Sequence, residues 1–304
     1  MPNLLIAASH TDQYRSLIEA AHLPFLEIVS TAAADVDLLL GDPLRIRDLL
    51  PSLPALKWAQ ATWAGVEPLL DPRLRRDYTL TNARGVFGGL MSEFVFGYLL
   101  LHERKILQRL EAQRQSSWDA SLTGTLRGKT LGLLGVGSIG AHLAGSARHF
   151  GMRVRGYTRL SESCAQVERY YHAPQLPAFA DGLDVLVNVL PNTRQTHKIV
   201  DAQLLAALPA RAVFINVGRG AALEEPALIE ALQSDRLALA VLDVFEQEPL
   251  PAQHPFWRTK NLLITSHTAA PSFPAEIAGV FIENYRRFAA GQPLKYQVDF
   301  ELGY

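Results

Sequence analysis

The sequence predicts an α/β protein with two parallel-sheet domains, one inserted into the other, and three observations support this. Residues 131–140 read LGLLGVGSIG, a buried strand that leads into a G-x-G-x-x-G turn. A helix-like stretch at Ala141–Phe150 and a strand-like run at Met152–Tyr157 follow the turn. Short apolar runs alternate with helix-like segments on both sides of the motif, as in parallel sheets with crossover helices. Because the motif lies in mid-sequence, a separate α/β unit precedes it.

Two sets of apolar runs predict the strands of the two sheets. Before the motif the runs are Leu4–Ala7, Val36–Leu40, Leu56–Ala61 and Tyr78–Thr81. After the motif they are Val185–Leu190, Ala212–Val217, Leu237–Leu242 and Leu262–Thr265. Each set is separated by polar or helix-like segments, so each predicts a sheet of its own.

Three segments predict helices that organise the domains. Glu225–Gln233 has a proline in its first turn, which suits a helix start. Val86–Leu110 is long and apolar, and its pattern predicts a hinge helix that crosses between the domains. Phe281–Ala290 predicts a terminal helix, stopped by Gly291 and Pro293, that returns to the N-terminal unit.

We therefore expect two Rossmann-like parallel-sheet domains with a cleft between them. The dinucleotide-binding domain is expected over residues 101–270 and the substrate domain over residues 1–100 plus 271–304. Ligands of open parallel sheets bind beyond the carboxyl ends of the strands. The cofactor is thus expected on one wall of the cleft and the substrate on the other.

Composition excludes several classes of function. The 304 residues are 48% hydrophobic and 19% charged, with a net charge of −1, which favours large cores and gives no electrostatic basis for binding nucleic acid or membrane. The single cysteine, Cys164, excludes an internal disulfide, and no spacing of histidines or carboxylates predicts a metal site. Phe94–Leu101 is too short to span a bilayer, and the N-terminus lacks the pattern of a secretory signal. A cytoplasmic location is expected.

The glycine turn predicts dinucleotide binding. Gly135 permits the tight turn, Gly137 lets the backbone approach a pyrophosphate, and Gly140 allows close packing of helix on strand. With Ser138 and Ile139 they open a helix whose N-terminal N–H groups can bind an anion. The alternative, a glycine-rich turn that binds nothing, is disfavoured by the strand before it and the helix after it.

The end of the second strand predicts a preference for NADP(H), with NAD(H) possible. An acidic residue that binds the adenosine ribose commonly lies about 20 residues after the motif. Thr158 occupies this position here and Arg159 follows it. Threonine can hydrogen-bond a 2′-phosphate and arginine can pair with it, although Arg159 could also be a solvated charge. Glu162 in the same loop is expected to moderate the preference.

Three polar residues that each follow an apolar strand predict the chemistry. Arg219, Glu248 and His267 come after the last three apolar runs of the chain, so they can converge at one edge of the sheet. Hydride transfer to a carbonyl leaves an alkoxide, and imidazolium is a suitable proton donor to it. A carboxylate favours the charged imidazole, while arginine binds a substrate carboxylate and polarises a ketone. Each residue alone has an ordinary structural alternative.

An ordered set of motifs shows a family resemblance over nearly the whole chain. The matching segments are Ala64–Val66, Asn82–Gly85, Gly135–Gly140, Leu190–Thr196, Asn216–Gly220, Asp243–Pro249 and Ser266–Ala270. In these segments the sequence resembles the D-isomer-specific 2-hydroxyacid dehydrogenases. The Thr158-Arg159 pair and the closing Gly291–Tyr304 segment are similar to the NADPH-dependent glyoxylate/hydroxypyruvate reductase branch.

The resemblance implies reduction of a small 2-oxo acid, of the glyoxylate or hydroxypyruvate type, with NAD(P)H. It implies that Arg219 binds and polarises the substrate, that His267 is the acid/base and that Glu248 is its partner. It also implies that backbone N–H groups of Ala64, Gly65 and Val66 hold the substrate carboxylate, with Trp63 beside them. Trp63 either shapes the pocket or packs in the core. The implied cofactor contacts downstream of the motif are Leu190, Pro191, Thr196, Val217, Gly218 and Asp243.

One departure and two alternatives remain open. Ser266 precedes the histidine where the family usually has proline, which affects the loop that carries the acid. A non-catalytic dinucleotide-sensing or scaffold protein on the same fold is one alternative. A dehydrogenase of a larger 2-hydroxy acid is the other. The resemblance also implies a homodimer.

Overall fold

A computed structural model describes residues 1–159 and 161–304. By its contacts the chain divides into two units, Met1–Val86 with Ser272–Tyr304 and Phe87–Pro271. Each unit is built around one parallel sheet, of five strands in the first and seven in the second. The prediction of two α/β units, one inserted into the other, is therefore confirmed.

The first unit contains a parallel sheet whose strand order is β2-β1-β3-β4-β5. Its strands are β1 (Asn3–Ala7), β2 (Glu27–Val29), β3 (Leu38–Gly41), β4 (Trp58–Ala61) and β5 (Thr79–Thr81). Its helices are α1 (Thr11–Ala20), α2 (Pro43–Leu49) and α9 (Pro274–Ala289), with 3₁₀ turns at Leu50–Ser52 and Glu67–Leu69.

The second unit contains a parallel sheet of order β12-β11-β10-β9-β6-β7-β8. Its strands are β6 (Thr130–Leu134), β7 (Arg153–Tyr157), β8 (Arg169–Tyr171), β9 (Val185–Asn188), β10 (Ala212–Asn216), β11 (Leu237–Leu242) and β12 (Leu262–Ile264). Its helices are α3 (Gly88–Glu103), α4 (Ile106–Arg114), α5 (Ser138–His149), α6 (Leu176–Ala180), α7 (Ala202–Ala207) and α8 (Glu225–Gln233). Two 3₁₀ turns lie at Gly220–Ala222 and Pro255–Arg258.

Helix α3 groups with the second unit, so the boundary that the sequence places after residue 100 falls inside a helix. The helix packs along α5, and the rings of Phe96 and Phe150 stack with their centroids 5.1 Å apart. The long helix expected over Val86–Leu110 is two helices, because Lys105 adopts the left-handed conformation with φ of 53° and separates α3 from α4.

The second sheet is buried on both faces. Side chains of β9 and β10 alternate between two hydrophobic clusters, with Leu186 and Phe214 in one and Val187 and Ile215 in the other. Continuous apolar strands of this kind are typical of parallel sheets covered by helices on both sides. Because helices cover both faces, the loops at the C-terminal ends of the strands are the part of the sheet where a ligand site is expected.

The terminal helix packs on the first sheet, as predicted. The rings of Trp58 and Phe281 stack with their centroids 5.0 Å apart, and the Tyr285 hydroxyl donates to the carbonyl oxygen of Pro24 at 2.7 Å. Helix α9 begins seven residues before the expected Phe281, at Pro274, whose fixed φ suits a first turn. Strands β2 and β8 have no counterpart in the predicted runs.

Candidate active site

The G-x-G-x-x-G turn has the geometry of an anion cradle. Gly135 has φ of +98°, and a Cβ at Gly140 would overlap the carbonyl oxygen of Gly135. Helix α5 begins directly after Gly137, and among the described residues no side chain caps it. A Cβ at Gly137 would meet no described atom within 4 Å. Open space beside uncapped N–H groups fits the pyrophosphate of a dinucleotide.

The residue after β7 is held within its own loop. Thr158 is 8% exposed, and its hydroxyl donates to the carbonyl oxygen of Ser161 at 2.9 Å. Its backbone N–H donates to the carbonyl oxygen of Tyr171 on β8 at 3.1 Å. The hydroxyl hydrogen is thus engaged inside the loop, while the neighbouring Arg159 is exposed.

Two buried asparagines fix the loops after β9 and β10, and neither is among the site residues predicted from the sequence. The Asn188 amide nitrogen donates to Asn216 Oδ1 at 2.9 Å, and both side chains are fully buried. Asn216 Oδ1 also accepts from the N–H of Gly218 at 3.1 Å, and Asn188 Oδ1 accepts from that of Leu190 at 3.2 Å. The signal that could have found them is an asparagine as the last residue of two neighbouring buried strands.

The loop after β9 is closed on itself. Thr196 Oγ1 donates to the carbonyl oxygen of Pro191 at 2.6 Å and accepts from the N–H of Thr193 at 2.8 Å. Val217 joins this region to the next loop, because its N–H donates to the carbonyl oxygen of Asn188 at 3.1 Å. Five of the residues expected to contact the cofactor therefore lie in two loops that are hydrogen-bonded to each other, namely Leu190, Pro191, Thr196, Val217 and Gly218.

Glu248 and His267 form a hydrogen-bonded carboxylate–imidazole pair at the strand ends. His267 Nδ1 lies 2.8 Å from Glu248 Oε2, and Glu248 Oε1 accepts from the N–H of Phe245 at 2.9 Å. Because a carboxylate only accepts, Nδ1 carries the hydrogen and Nε2 is the other functional nitrogen of the ring. The side chain of His267 is 55% exposed and that of Glu248 is 36% exposed, so small molecules can reach the pair. His267 has φ of 56°, in the left-handed region.

Asp243 anchors the loop that carries His267. Its carboxylate is 1% exposed and accepts from the Thr265 hydroxyl at 2.5 Å. The same carboxylate accepts from the N–H groups of Thr268 at 2.8 Å and Ala269 at 3.0 Å. The resemblance implies a cofactor contact for Asp243, and the observed contacts give it a structural role in the loop.

The loop that carries Arg219 lies against the loop that carries Glu248. A Cβ at Gly220 would overlap the backbone carbonyl group of Phe245, so the two loops approach as closely as a glycine allows. The Asn216 amide nitrogen donates to the carbonyl oxygen of Arg219 at 3.1 Å, which fixes the start of the turn. Since β12, β11 and β10 are adjacent and parallel, Arg219, Glu248 and His267 follow neighbouring strands at one edge.

The Trp63–Val66 segment lies in the first unit, after β4. The Asn82 amide nitrogen donates to the carbonyl oxygen of Ala64 at 2.8 Å. In the part of the chain that the structure describes, the N–H groups of Ala64, Gly65 and Val66 donate to no protein acceptor. Trp63 is 41% exposed, so it does not pack in the core.

A buried carboxylate holds the start of this segment. Asp42 accepts from the Thr62 hydroxyl at 2.6 Å and from the Ser9 hydroxyl at 2.7 Å. The Ser272 hydroxyl donates to the carbonyl oxygen of Thr62 at 3.0 Å. Thr62, which directly precedes Trp63, is therefore held through both its hydroxyl and its carbonyl oxygen.

Over residues 1–159 and 161–304, no helix combines the length and apolar character needed to cross a bilayer.

A dinucleotide fold with an acid–base pair at its strand ends is characteristic of nicotinamide-dependent oxidoreductases. The family model described as D-isomer specific 2-hydroxyacid dehydrogenase, NAD binding domain, matches residues 96–269, which is more than half of the chain. The chain belongs to the D-isomer-specific 2-hydroxyacid dehydrogenase family and is an NAD(P)-dependent oxidoreductase.

Individual relatives agree with this assignment. The chain is 35% identical over 266 residues to a glyoxylate/hydroxypyruvate reductase A from Serratia proteamaculans (strain 568), covering 84% of each chain. A D-isomer specific 2-hydroxyacid dehydrogenase family protein from Aeromonas salmonicida subsp. salmonicida A449 superposes with a TM-score of 0.92 at 44% identity, covering 98% of this chain and 99% of that one. A D-isomer specific 2-hydroxyacid dehydrogenase from Xanthobacter autotrophicus Py2, in complex with NADPH and MES, has a TM-score of 0.90 at 33% identity, covering 100% and 99%.

Proposed function

We propose that the chain reduces a small 2-oxo acid of the glyoxylate or hydroxypyruvate type to the 2-hydroxy acid with NADPH. The observation that carries the proposal is the 2.8 Å pair between His267 and Glu248, in the same unit as the glycine turn. The name of the Serratia relative supports the substrate class, and the NADPH in the Xanthobacter relative supports the cofactor.

His267 gives the proton that completes the reduction. The reduced nicotinamide, when bound, supplies the hydride to the carbonyl carbon. The oxygen then carries negative charge, and His267 Nε2–H donates a proton to it. Glu248 stabilises the imidazolium and holds it through Nδ1, while the Phe245 N–H holds Glu248 in turn.

Arg219 binds and polarises the substrate. Its guanidinium is a permanent cation with a planar fork that matches a carboxylate and can stabilise the developing oxyanion. For the first unit, the proposed role is binding of the substrate carboxylate by the N–H groups of Ala64, Gly65 and Val66, with Trp63 beside them. Among the described residues these N–H groups donate to no protein acceptor, which supports this role.

The residues that would hold the cofactor begin with the glycine turn. The N–H groups at Ser138, Ile139 and Gly140 would bind the pyrophosphate, and Arg159 would pair with the 2′-phosphate. The remaining proposed contacts lie in the loops after β9, β10 and β11, at Leu190, Pro191, Thr196, Val217, Gly218 and Asp243. NADH remains a possible cofactor.

The proposed assembly is a homodimer. Exposed large apolar side chains along α4 and the segment after it support this assembly, because exposed apolar surface often marks an interface. These side chains are 42% to 94% exposed and belong to Ile106, Leu107, Leu110, Trp118 and Leu122. Leu107→Glu combined with Trp118→Ser should yield a monomer by light scattering with chromatography. The cytoplasmic location stays a prediction.

The function is tested by following NADPH absorbance with a panel of 2-oxo acids. We expect the highest kcat/KM for glyoxylate or hydroxypyruvate, and lower values for branched or phosphorylated 2-oxo acids. The best rate with a branched or phosphorylated acid would support the larger-substrate alternative, and no turnover with any acid would support the non-catalytic one.

The cofactor preference is tested with Arg159→Ala, which should raise the KM for NADPH far more than that for NADH. Equal effects on the two KM values would show that Arg159 does not bind the 2′-phosphate.

A further inference from the structure

An ion pair joins the loop after β7 to the end of β8. His172 follows β8, and its Nε2 lies 2.7 Å from Glu162 Oε1. Its Nδ1 lies 2.9 Å from the carbonyl oxygen of Thr158. Both ring nitrogens therefore face acceptors, a carboxylate and a carbonyl. A neutral imidazole donates from one nitrogen alone, so this geometry favours the imidazolium form of His172, which donates from both.

The groups around His172 are consistent with a cation. The Glu162 carboxylate, followed by the Thr158 carbonyl, raises the pKa of His172 above its usual 6.5. Arg159, in the same loop, contributes its backbone carbonyl in the same direction. The basic residue of β8 itself, Arg169, lies over the ring of Tyr171 at 4.7 Å.

The register of the sheet places this cation beside the position that distinguishes NADPH from NADH. Tyr157 pairs with Tyr171, so Thr158 and His172 are the next residues of the two parallel strands. The 2′-substituent of the adenosine ribose is recognised at the end of the second strand, which is here Thr158. The Thr158 hydroxyl hydrogen is engaged with Ser161, and Arg159 and His172 are the basic side chains that the structure describes next to this strand end.

We propose that His172 is a second cation for the 2′-phosphate of NADPH and that Glu162 is an internal anion that holds His172 until the phosphate displaces it. A 2′-hydroxyl is uncharged and cannot replace Glu162, so the pair acts on NADPH alone. Glu162 thus lowers the affinity for NADPH and His172 raises it, both with little effect on NADH. This inference rests on the proposed reductase function, because NADPH is the cofactor of that reaction.

The test measures binding of 2′,5′-ADP and 5′-ADP by calorimetry, since these ligands differ by the 2′-phosphate and undergo no turnover. At about pH 6.5, near the ordinary pKa of histidine, Glu162→Gln should tighten 2′,5′-ADP by about fivefold, as expected for an exposed charge. His172→Gln should weaken it by about the same factor. The dissociation constant for 5′-ADP should stay unchanged in both variants.

Matched controls come from the same unit. Glu168 pairs with Arg148 at the other end of β8, and His149 lies at the C-terminal end of α5. Glu168→Gln and His149→Gln should leave the ratio of the two dissociation constants as in the wild type. An unchanged ratio in either Glu162→Gln or His172→Gln, with the fold intact by circular dichroism, overturns the proposal.

A pH series gives a second readout. The preference of the wild type for 2′,5′-ADP should fall as the pH rises and His172, whose pKa is raised above 6.5, loses its proton, and His172→Gln should lack this fall. An identical pH profile in the two proteins would contradict the cationic role. Binding of 2′,5′-ADP and 5′-ADP involves no reduction of a substrate. A negative result in these binding experiments would therefore contradict the role of His172 only, and the reductase function is tested separately by the NADPH absorbance assay.

Discussion

The carbonyl oxygen of Asp243 accepts the backbone N–H of His267 at 2.8 Å, so the end of β11 directly holds the proposed acid. His267 has φ of 56°, which is unfavourable for a residue with a Cβ and persists where surrounding contacts impose it. The Asp243 carboxylate supplies those contacts through the N–H groups of Thr268 and Ala269. It follows that the position of the imidazole depends on a buried carboxylate one strand away.

Asp243→Asn should therefore lower kcat and destabilise the second unit. An amide nitrogen would face N–H donors, leaving at least one buried donor unpaired at a cost of about 1–3 kcal/mol. Urea unfolding and steady-state kinetics measure the two effects. Asp71→Asn, at an exposed pair with Arg73, is the control and should change neither. Full activity in Asp243→Asn would show that the loop holds its geometry without the carboxylate.

His267→Asn should reduce kcat by about 10² to 10⁴, the usual contribution of a general acid. The dissociation constant for NADPH, measured by fluorescence, should stay near that of the wild type. Glu248→Gln should have a smaller effect, because an amide oxygen can still accept from the Phe245 N–H while the charge beside the imidazole is lost. Near-normal turnover in His267→Asn would disprove the assignment of the acid.

Gly220→Ala tests the contact between the loops of Arg219 and Glu248. The added Cβ would overlap the Phe245 backbone, so the loops must separate, and overpacking of this kind costs about 1–3 kcal/mol. We expect a lower thermal midpoint and a loss of activity larger than the loss of NADPH binding. Gly145→Ala in α5 is the matched control, because a Cβ there meets no described atom within 4 Å. If both variants behave alike, the close approach at Gly220 has no consequence for the site.

Local signals predict the elements well, whereas contacts between strands are not visible in the sequence. Helix Glu225–Gln233 and strand Leu237–Leu242 have the predicted bounds, because proline, apolar runs and polar flanks mark both of their ends. Strand β8 has three residues at a sheet edge and no apolar run that would predict it.

Contacts between residues of different strands could not be predicted in this way. The sequence singles out Thr158, but His172 becomes its neighbour only through the register of β7 on β8. The Asn188–Asn216 pair depends in the same way on two strands lying side by side.

Acid stability should depend on His102, near the end of α3. Burial lowers the pKa of His102 below 6.5, and the charges of Lys129 and Arg211 act in the same direction against the opposing charge of Glu103. Below pH 6.5 the unfolded chain therefore binds a proton at His102 more readily than the folded chain does. The free energy of unfolding should thus fall as pH decreases below that value. His102→Gln should lose less stability than the wild type between about pH 7.5 and 5.5, a window above the titration of most carboxylates, as measured by urea unfolding. Equal losses in the two proteins would contradict a neutral, half-buried His102.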